Sequence, residues 1–100
     1  MSTTLSKRLR EARQLAGISQ ERLGIQAGID PASARTRINR YEHGVRIPTP
    51  AIVERIASEL GLPAAYFYAV NDNEAMLLRL FYHLSEEEQE EVMQKVKGEG

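Results

Sequence analysis

The chain of 100 residues has no cysteine, no tryptophan and no long hydrophobic run. The absence of cysteine excludes disulfides and thiolate metal sites. The longest purely apolar run, Ala64 to Val70, is far shorter than the roughly 18 residues that span a bilayer. His43 and His83 lie far apart, with no partner at a metal-ligand spacing. We therefore expect no membrane segment, no metal and no cofactor.

The N-terminal residues MSTTLSKRLREAR enter a charged pattern directly, without the apolar core of a signal peptide. This start predicts a cytosolic protein. The chain has 42% apolar and 27% charged residues, which is ordinary for one small globular domain.

The formal net charge of −1 hides an uneven distribution of charge along the chain. Up to Leu62, ten Lys or Arg face six acidic residues, which gives this part a net charge of +4. From Pro63 onward, three basic residues face eight acidic ones, which gives −5. This asymmetry favours one part that binds a polyanion and a second part that stays away from it.

Apolar residues recur at helical spacing along the whole chain, and no strand pattern is present. Cap and stop residues predict helices over about residues 4–16, 19–27, 31–43, 50–60, 63–68, 74–84 and 86–96. The predicted fold is therefore all-α. A compact five-helix domain covers residues 1–70, and a helical hairpin over residues 71–100 forms a tail.

The second and third predicted helices have the pattern of a helix-turn-helix. Gly28 ends the second helix, and Asp30 followed by Pro31 is a cap-then-proline signal that predicts an immediate restart. The inward face of the third helix would consist of Ala34, Ile38 and Tyr41, while its outer face is rich in Arg, Asn and Thr. In a helix-turn-helix, such a second helix enters the major groove of DNA.

At these residues the sequence resembles the lambda-repressor-like, or XRE-type, helix-turn-helix transcriptional regulators. The similarity covers about the first 68 residues and is carried by Leu9, Arg13, Gly17-Ile18-Ser19-Gln20, Leu23, Ala27-Gly28-Ile29, Ile38, Tyr41-Glu42-His43-Gly44, Pro48, Ile56-Ala57 and Leu60-Gly61-Leu62. The resemblance implies a five-helix DNA-binding fold. It also implies a sequence-specific regulator of double-stranded DNA, most typically a repressor of bacterial or phage type.

Two positions depart from the family pattern. The family usually has Ala where Gly24 stands, and the glycine should let the two helices approach closely. The stretch from Gly28 to Glu42 is two residues longer than usual. Either the recognition helix starts about half a turn early, or the turn before it is longer.

Counting back from Glu42, the resemblance places the base-reading positions on Arg35, Thr36, Asn39 and Arg40. The helical period agrees, because at about 100° per residue these four side chains lie opposite the predicted inward face. Arginine can donate two hydrogen bonds to guanine, asparagine can pair with adenine, and a threonine methyl group can contact thymine.

The resemblance also assigns residues around the recognition helix. Gln20 occupies the family's phosphate-contacting position, and Arg46 and His43 flank a loop from which adjacent phosphates are within reach. Arg37 and Ser33 could contact a phosphate or nothing. The family tends to pair the positions of Arg13 and Glu42 in a structural salt bridge between the first and third helices.

Enzyme motifs are missing from the sequence. It has no glycine-rich phosphate loop, no HExxH or GxSxG pattern and no nucleophile with a plausible base. The acidic run Glu86-Glu87-Glu88 suits a solvated first helical turn better than a carboxylate site. We therefore expect a protein that is not an enzyme.

The C-terminal third of the chain supplies more apolar residues than a five-helix domain needs, namely Tyr66, Phe67, Tyr68, Leu77, Leu80, Phe81, Val92, Met93 and Val96. We assign the tail to homodimerisation, since family members commonly dimerise through their C-terminal parts. A hairpin that only folds back over the fifth helix is the alternative. A different function class is an antitoxin-like module whose acidic tail binds a partner protein, with DNA binding secondary.

Overall fold

A computed structural model describes residues 3–98 and is all-α over that range. Its α-helices are α1 (Thr4–Ala16), α2 (Gln20–Gln26), α3 (Ala34–Glu42), α4 (Pro50–Leu60), α5 (Asp72–Tyr82) and α6 (Glu86–Val96), and a 3₁₀ helix covers Ala64–Tyr68. The predicted all-α fold is confirmed. Residues 1–2 of the predicted five-helix domain and residues 99–100 of the predicted tail lie outside the described residues.

Local capping explains most of the helix boundaries. Ser19, Thr49 and Ser85 each accept a hydrogen bond from the backbone N–H three residues later, as their sequence positions predict. Gly17 ends α1 with a φ of 67°, in the left-handed region that glycine adopts without strain. α5 begins at Asp72, two residues before the predicted start, because the Asn71 side chain caps it by accepting from the N–H groups of Asn73 and Glu74.

The predicted start of the recognition helix at Pro31 is wrong. The Asp30 carboxylate accepts from the N–H of Ala32 at 2.9 Å, and the Asp30 carbonyl accepts from the N–H of Ser33 at 2.9 Å. These bonds close a turn over residues 30–33, and α3 starts only at Ala34. The longer stretch between Gly28 and Glu42 is therefore accommodated by a longer turn, the second of the two alternatives.

The core lies among the first four helices and the 3₁₀ helix. Every element contributes at least one fully buried side chain, including Leu9, Leu23, Ile38, Ile56 and Phe67. The inward face predicted for α3 is buried as expected. α1 departs from the apolar-in, charged-out pattern at two positions. Ala16 is exposed although it lies at helical spacing from the buried Leu9 and Ala12, and the charged Arg8 is buried.

The two helices of the tail differ in their contact with this core. α5 packs against the 3₁₀ helix and adds Ala75 to the core, with Leu78 at its edge. None of the residues of α6, all of which the structure describes, is buried. Its attachment to α5 includes a hydrogen bond from the Gln89 side-chain amide to the Phe81 carbonyl at 2.9 Å. The long axis of the molecule is 52 Å, against 26 and 22 Å for the others.

Between residues 3 and 98, no helix combines the length and apolar character needed to cross a membrane. The same residues contain no group of three or more His, Asp or Glu side chains placed to hold a metal ion.

Candidate nucleic-acid interface

The two helices of the helix-turn-helix touch at Gly24, in the middle of α2. A Cβ atom on Gly24 would lie 2.7 Å from the Cβ of Ala34 and 2.9 Å from its carbonyl oxygen. Both distances are shorter than van der Waals contact, so a side chain at Gly24 would push α2 and α3 apart. The close approach expected from the glycine is confirmed, and it fixes α3 against the domain.

The outer face of α3 carries four of the predicted residues together. All four are exposed, namely Arg35, Thr36, Asn39 and Arg40, whereas the opposite face of the helix packs into the core. Arg35, Thr36 and Asn39 line one shallow concavity on the surface. Four polar side chains therefore project from one helix into solvent.

A buried ion pair joins α3 to α1. Arg13 Nε donates to Glu42 Oε2 at 2.5 Å, and Arg13 NH2 donates to Glu42 Oε1 at 3.1 Å. The Glu42 side chain is only 1% exposed and that of Arg13 15%. Arg13 NH1 also donates to the carbonyl of Ile18 at 3.0 Å, which ties the turn before α2 to the same group.

Gln20 joins this ion pair, which the sequence did not indicate. Its side-chain amide donates to Glu42 Oε1 at 3.1 Å, so it is held in place at the start of α2. Gln20 also lines a surface cleft with Arg13, Ser19, Glu21 and Arg35. Gln20, the predicted phosphate contact on α2, and Arg35, a predicted base reader on α3, thus face the same cleft.

Arg37 and Ser33 lie at the edge of the exposed α3 face. Arg37 NH2 donates to the Tyr41 hydroxyl at 2.6 Å, and its guanidinium carbon lies 5.7 Å from the centre of the Tyr41 ring. The Arg37 Nε is buried and has no hydrogen-bond partner in the described chain. Ser33 occupies the N-cap position of α3, with its hydroxyl 3.4 Å from the Asp30 carbonyl.

The loop after α3 holds the remaining predicted residues close to the helix end. His43 Nδ1 donates to the Asn39 carbonyl at 2.8 Å. Arg46 has an exposed side chain, while its backbone N–H donates to the Arg40 carbonyl at 3.3 Å. This bond holds the backbone of Arg46 at the C-terminal end of α3.

The electrostatic character of this surface suits an anion. Glu42 is the single acidic residue of α3, and its charge is paired with Arg13. The outer face and the following loop thus present Arg35, Arg40 and Arg46 with no carboxylate on the helix to oppose them. Guanidinium groups in this arrangement can contact both phosphates and guanine edges.

Comparison with known proteins agrees with this geometry. A family model described as a helix-turn-helix domain matches residues 6–73, and the chain belongs to that family. Among solved structures, the chain is similar to the crystal structure of the transcriptional regulator BswR, with 33% sequence identity and a TM-score of 0.87. The match covers 95% of this chain and 98% of that chain. No curated protein matches the chain. The predicted helix-turn-helix family and lambda-repressor-like fold are thereby confirmed.

Proposed function

We propose that the protein is a sequence-specific DNA-binding transcriptional regulator that inserts α3 into the major groove of an operator. The observation that carries this proposal is the set of four exposed polar side chains on one face of α3, held rigidly by the contact of α2 with α3 and by the Arg13–Glu42 pair. The similarity to BswR, which is described as a transcriptional regulator, supports it.

In this proposal the outer face of α3 reads bases. Arg35 and Arg40 donate to guanine O6 and N7, Asn39 pairs with adenine, and the Thr36 methyl group contacts a thymine methyl. The longer turn before α3 leaves the count back from Glu42 unchanged, since the additional residues precede the helix.

Phosphate contacts are assigned to residues around this face. Gln20 shares a cleft with Arg35, and His43 and Arg46 follow the C-terminal end of α3. Ser33 and Arg37 lie at or near the N-terminal end of the same helix. Such contacts set the orientation of the protein on the duplex without reading sequence. Because Glu42 fixes the Gln20 amide, that contact is already oriented before DNA binds.

The tail is proposed as the homodimer contact. Met76, Leu77 and Leu80 on α5 are each about half exposed, at 51%, 54% and 52%. An apolar strip of this kind is typical of an interaction surface. Two α3 helices related by a dimer axis would read an inverted repeat, with half-site centres about one DNA turn apart. By resemblance to the lambda-repressor-like regulators, we propose repression as the outcome.

Selection of bound sites from random duplex DNA tests the proposal, because it reports binding, sequence preference and half-site spacing together. About 5 phosphate contacts per protomer predict a log–log slope of affinity against salt near −9 for a dimer. Equal affinity for every duplex, together with a flat salt response, would refute the proposal.

Single alanine variants test the assignment of residues. Arg35→Ala or Asn39→Ala should cost about 1–3 kcal/mol and relax preference at one base position, whereas Arg46→Ala should weaken all sequences alike. Arg10→Ala, which removes an exposed arginine of α1, is the matched control and should change neither the affinity nor the base preference. If all four base-reader variants keep the wild-type preference, the assignment of these residues is wrong.

A further inference from the structure

A buried arginine joins the helix-turn-helix domain to the tail. Arg8 of α1 is only 1% exposed. Its Nε donates to the carbonyl of Ala69 at 2.9 Å, and its NH2 donates to the carbonyl of Val70 at 3.2 Å. The same NH2 lies 2.9 Å from the Asp72 carboxylate, and NH1 donates to Glu11 at 3.0 Å.

This set of partners is selective for arginine. A guanidinium carries five N–H donors in a fixed plane, so one side chain can bond two successive carbonyls and two carboxylates in different directions. Burial alone would lower the pKa of Arg8, but the hydrogen bonds to Glu11 and Asp72 raise it overall. The same hydrogen bond from Arg8, followed by that from Lys7, holds the pKa of Asp72 below its usual range.

The partners of Arg8 lie at the junction between the domain and the tail. Ala69 and Val70 form the segment between the 3₁₀ helix and α5, and Asp72 is the first residue of α5. Arg8 therefore hydrogen-bonds the backbone at the point where the domain ends and the tail begins. Beyond this point α5 returns to the core mainly through Ala75, and α6 projects without burying any residue.

We propose that Arg8 is a positioning residue that fixes the direction of the tail relative to α3, and that it thereby sets the half-site spacing which the dimer accepts. The second part of this inference rests on the proposed function, since it requires DNA binding and a dimer contact in the tail. The first part concerns the geometry of one chain and is independent of DNA.

The geometry can be tested in the full-length protein by distance measurement. Since the chain has no cysteine, Glu54→Cys on α4 and Glu90→Cys on α6 give two unique spin-label sites, both exposed. Dilution with unlabelled protein restricts the signal to pairs within one chain. We expect one narrow distance distribution in the parent protein and in the matched control Arg10→Met, an exposed arginine of α1. We expect a broad or multiple distribution in Arg8→Met.

Circular dichroism shows whether Arg8→Met is folded. If it is not, Arg8→Lys replaces it, because lysine keeps the positive charge beside Glu11 and Asp72 but lacks the planar set of donors that bonds the Ala69 and Val70 carbonyls. A distribution as narrow as that of the parent in the folded variant would overturn the proposal.

The consequence for DNA is tested with duplexes in which the distance between two half-sites is varied. The wild type should prefer its best spacing over its worst by about a hundredfold, because only the correct spacing lets both protomers bind at once. In Arg8→Met this preference should fall below about tenfold, with single half-site affinity unchanged. An unchanged spacing preference would overturn the role in spacing. Failure of the wild type to bind any duplex would instead refute the proposed function, while the spin-label distances would still decide the role of Arg8 in tail geometry.

Discussion

Removal of Arg13 should destabilise the protein more than any surface change, because it leaves a carboxylate buried without its cation. Glu42 is 1% exposed, and after Arg13→Met its remaining partner among those described is the neutral amide of Gln20. Breaking a buried ion pair from one side costs about 3–5 kcal/mol. For a domain of this size, that corresponds to a fall in Tm of about 12–40 °C.

The two sides of the pair should not be equivalent. Glu42→Gln removes the carboxylate charge but leaves Arg13 with 15% exposure and its bond to the Ile18 carbonyl. We expect this variant to lose about 1–3 kcal/mol, less than Arg13→Met. In the double variant, the loss should be about 1–3 kcal/mol smaller than the sum of the single losses, because no unpaired charge remains.

Denaturant unfolding followed by circular dichroism measures all three free energies. Arg10→Met is the control, since it removes an exposed arginine from the same helix and should stay within about 0.5 kcal/mol of wild type. The reasoning is refuted if Arg13→Met costs no more than Arg10→Met, or if the losses of the single variants simply add in the double variant.

Three further predictions concern packing, pH and assembly. Gly24→Ala should lower the free energy of unfolding, because overpacking against Ala34 costs about 1–3 kcal/mol and exceeds the gain of about 1 kcal/mol in helix propensity. A variant more stable than the wild type would contradict the close contact between α2 and α3. Burial raises the pKa of Tyr66 from 10.0 to about 12, so the unfolded chain releases this proton first and stability should decline as the pH rises from about 10 to 12. Between pH 9 and pH 11, the free energy of unfolding should fall by about 1 kcal/mol less in Tyr66→Phe than in the wild type, as measured by denaturant unfolding. Equal falls in the two proteins would refute the raised pKa of Tyr66. Leu77→Glu with Leu80→Glu should give a monomer by sedimentation while circular dichroism remains that of the wild type; a dimer that persists would place the interface elsewhere.

Features that depend only on neighbouring residues could be predicted from the sequence. Helix starts at Ser19, Thr49 and Ser85 follow from side-chain oxygens that cap the N–H groups three residues later. The inward face of α3 follows from the helical period alone, and Ile38 and Tyr41 are buried as predicted. Both signals lie within about one helical turn of the residue concerned, so no tertiary contact is needed to read them.

Features that depend on distant partners, or on a choice between two local hydrogen bonds, follow only from the packed fold. Asp30 can cap a helix or close a turn, and the packed position of α3 selects the turn. In the sequence Arg8 looks like any solvated arginine, yet it is buried and donates to the carbonyl of Ala69, 61 residues further along the chain. Gln20 likewise meets Glu42 across 22 residues of chain. Periodicity assigns a side chain to a face of its helix, but only the packed fold determines whether that face meets solvent or the hydrogen-bonding groups of another segment.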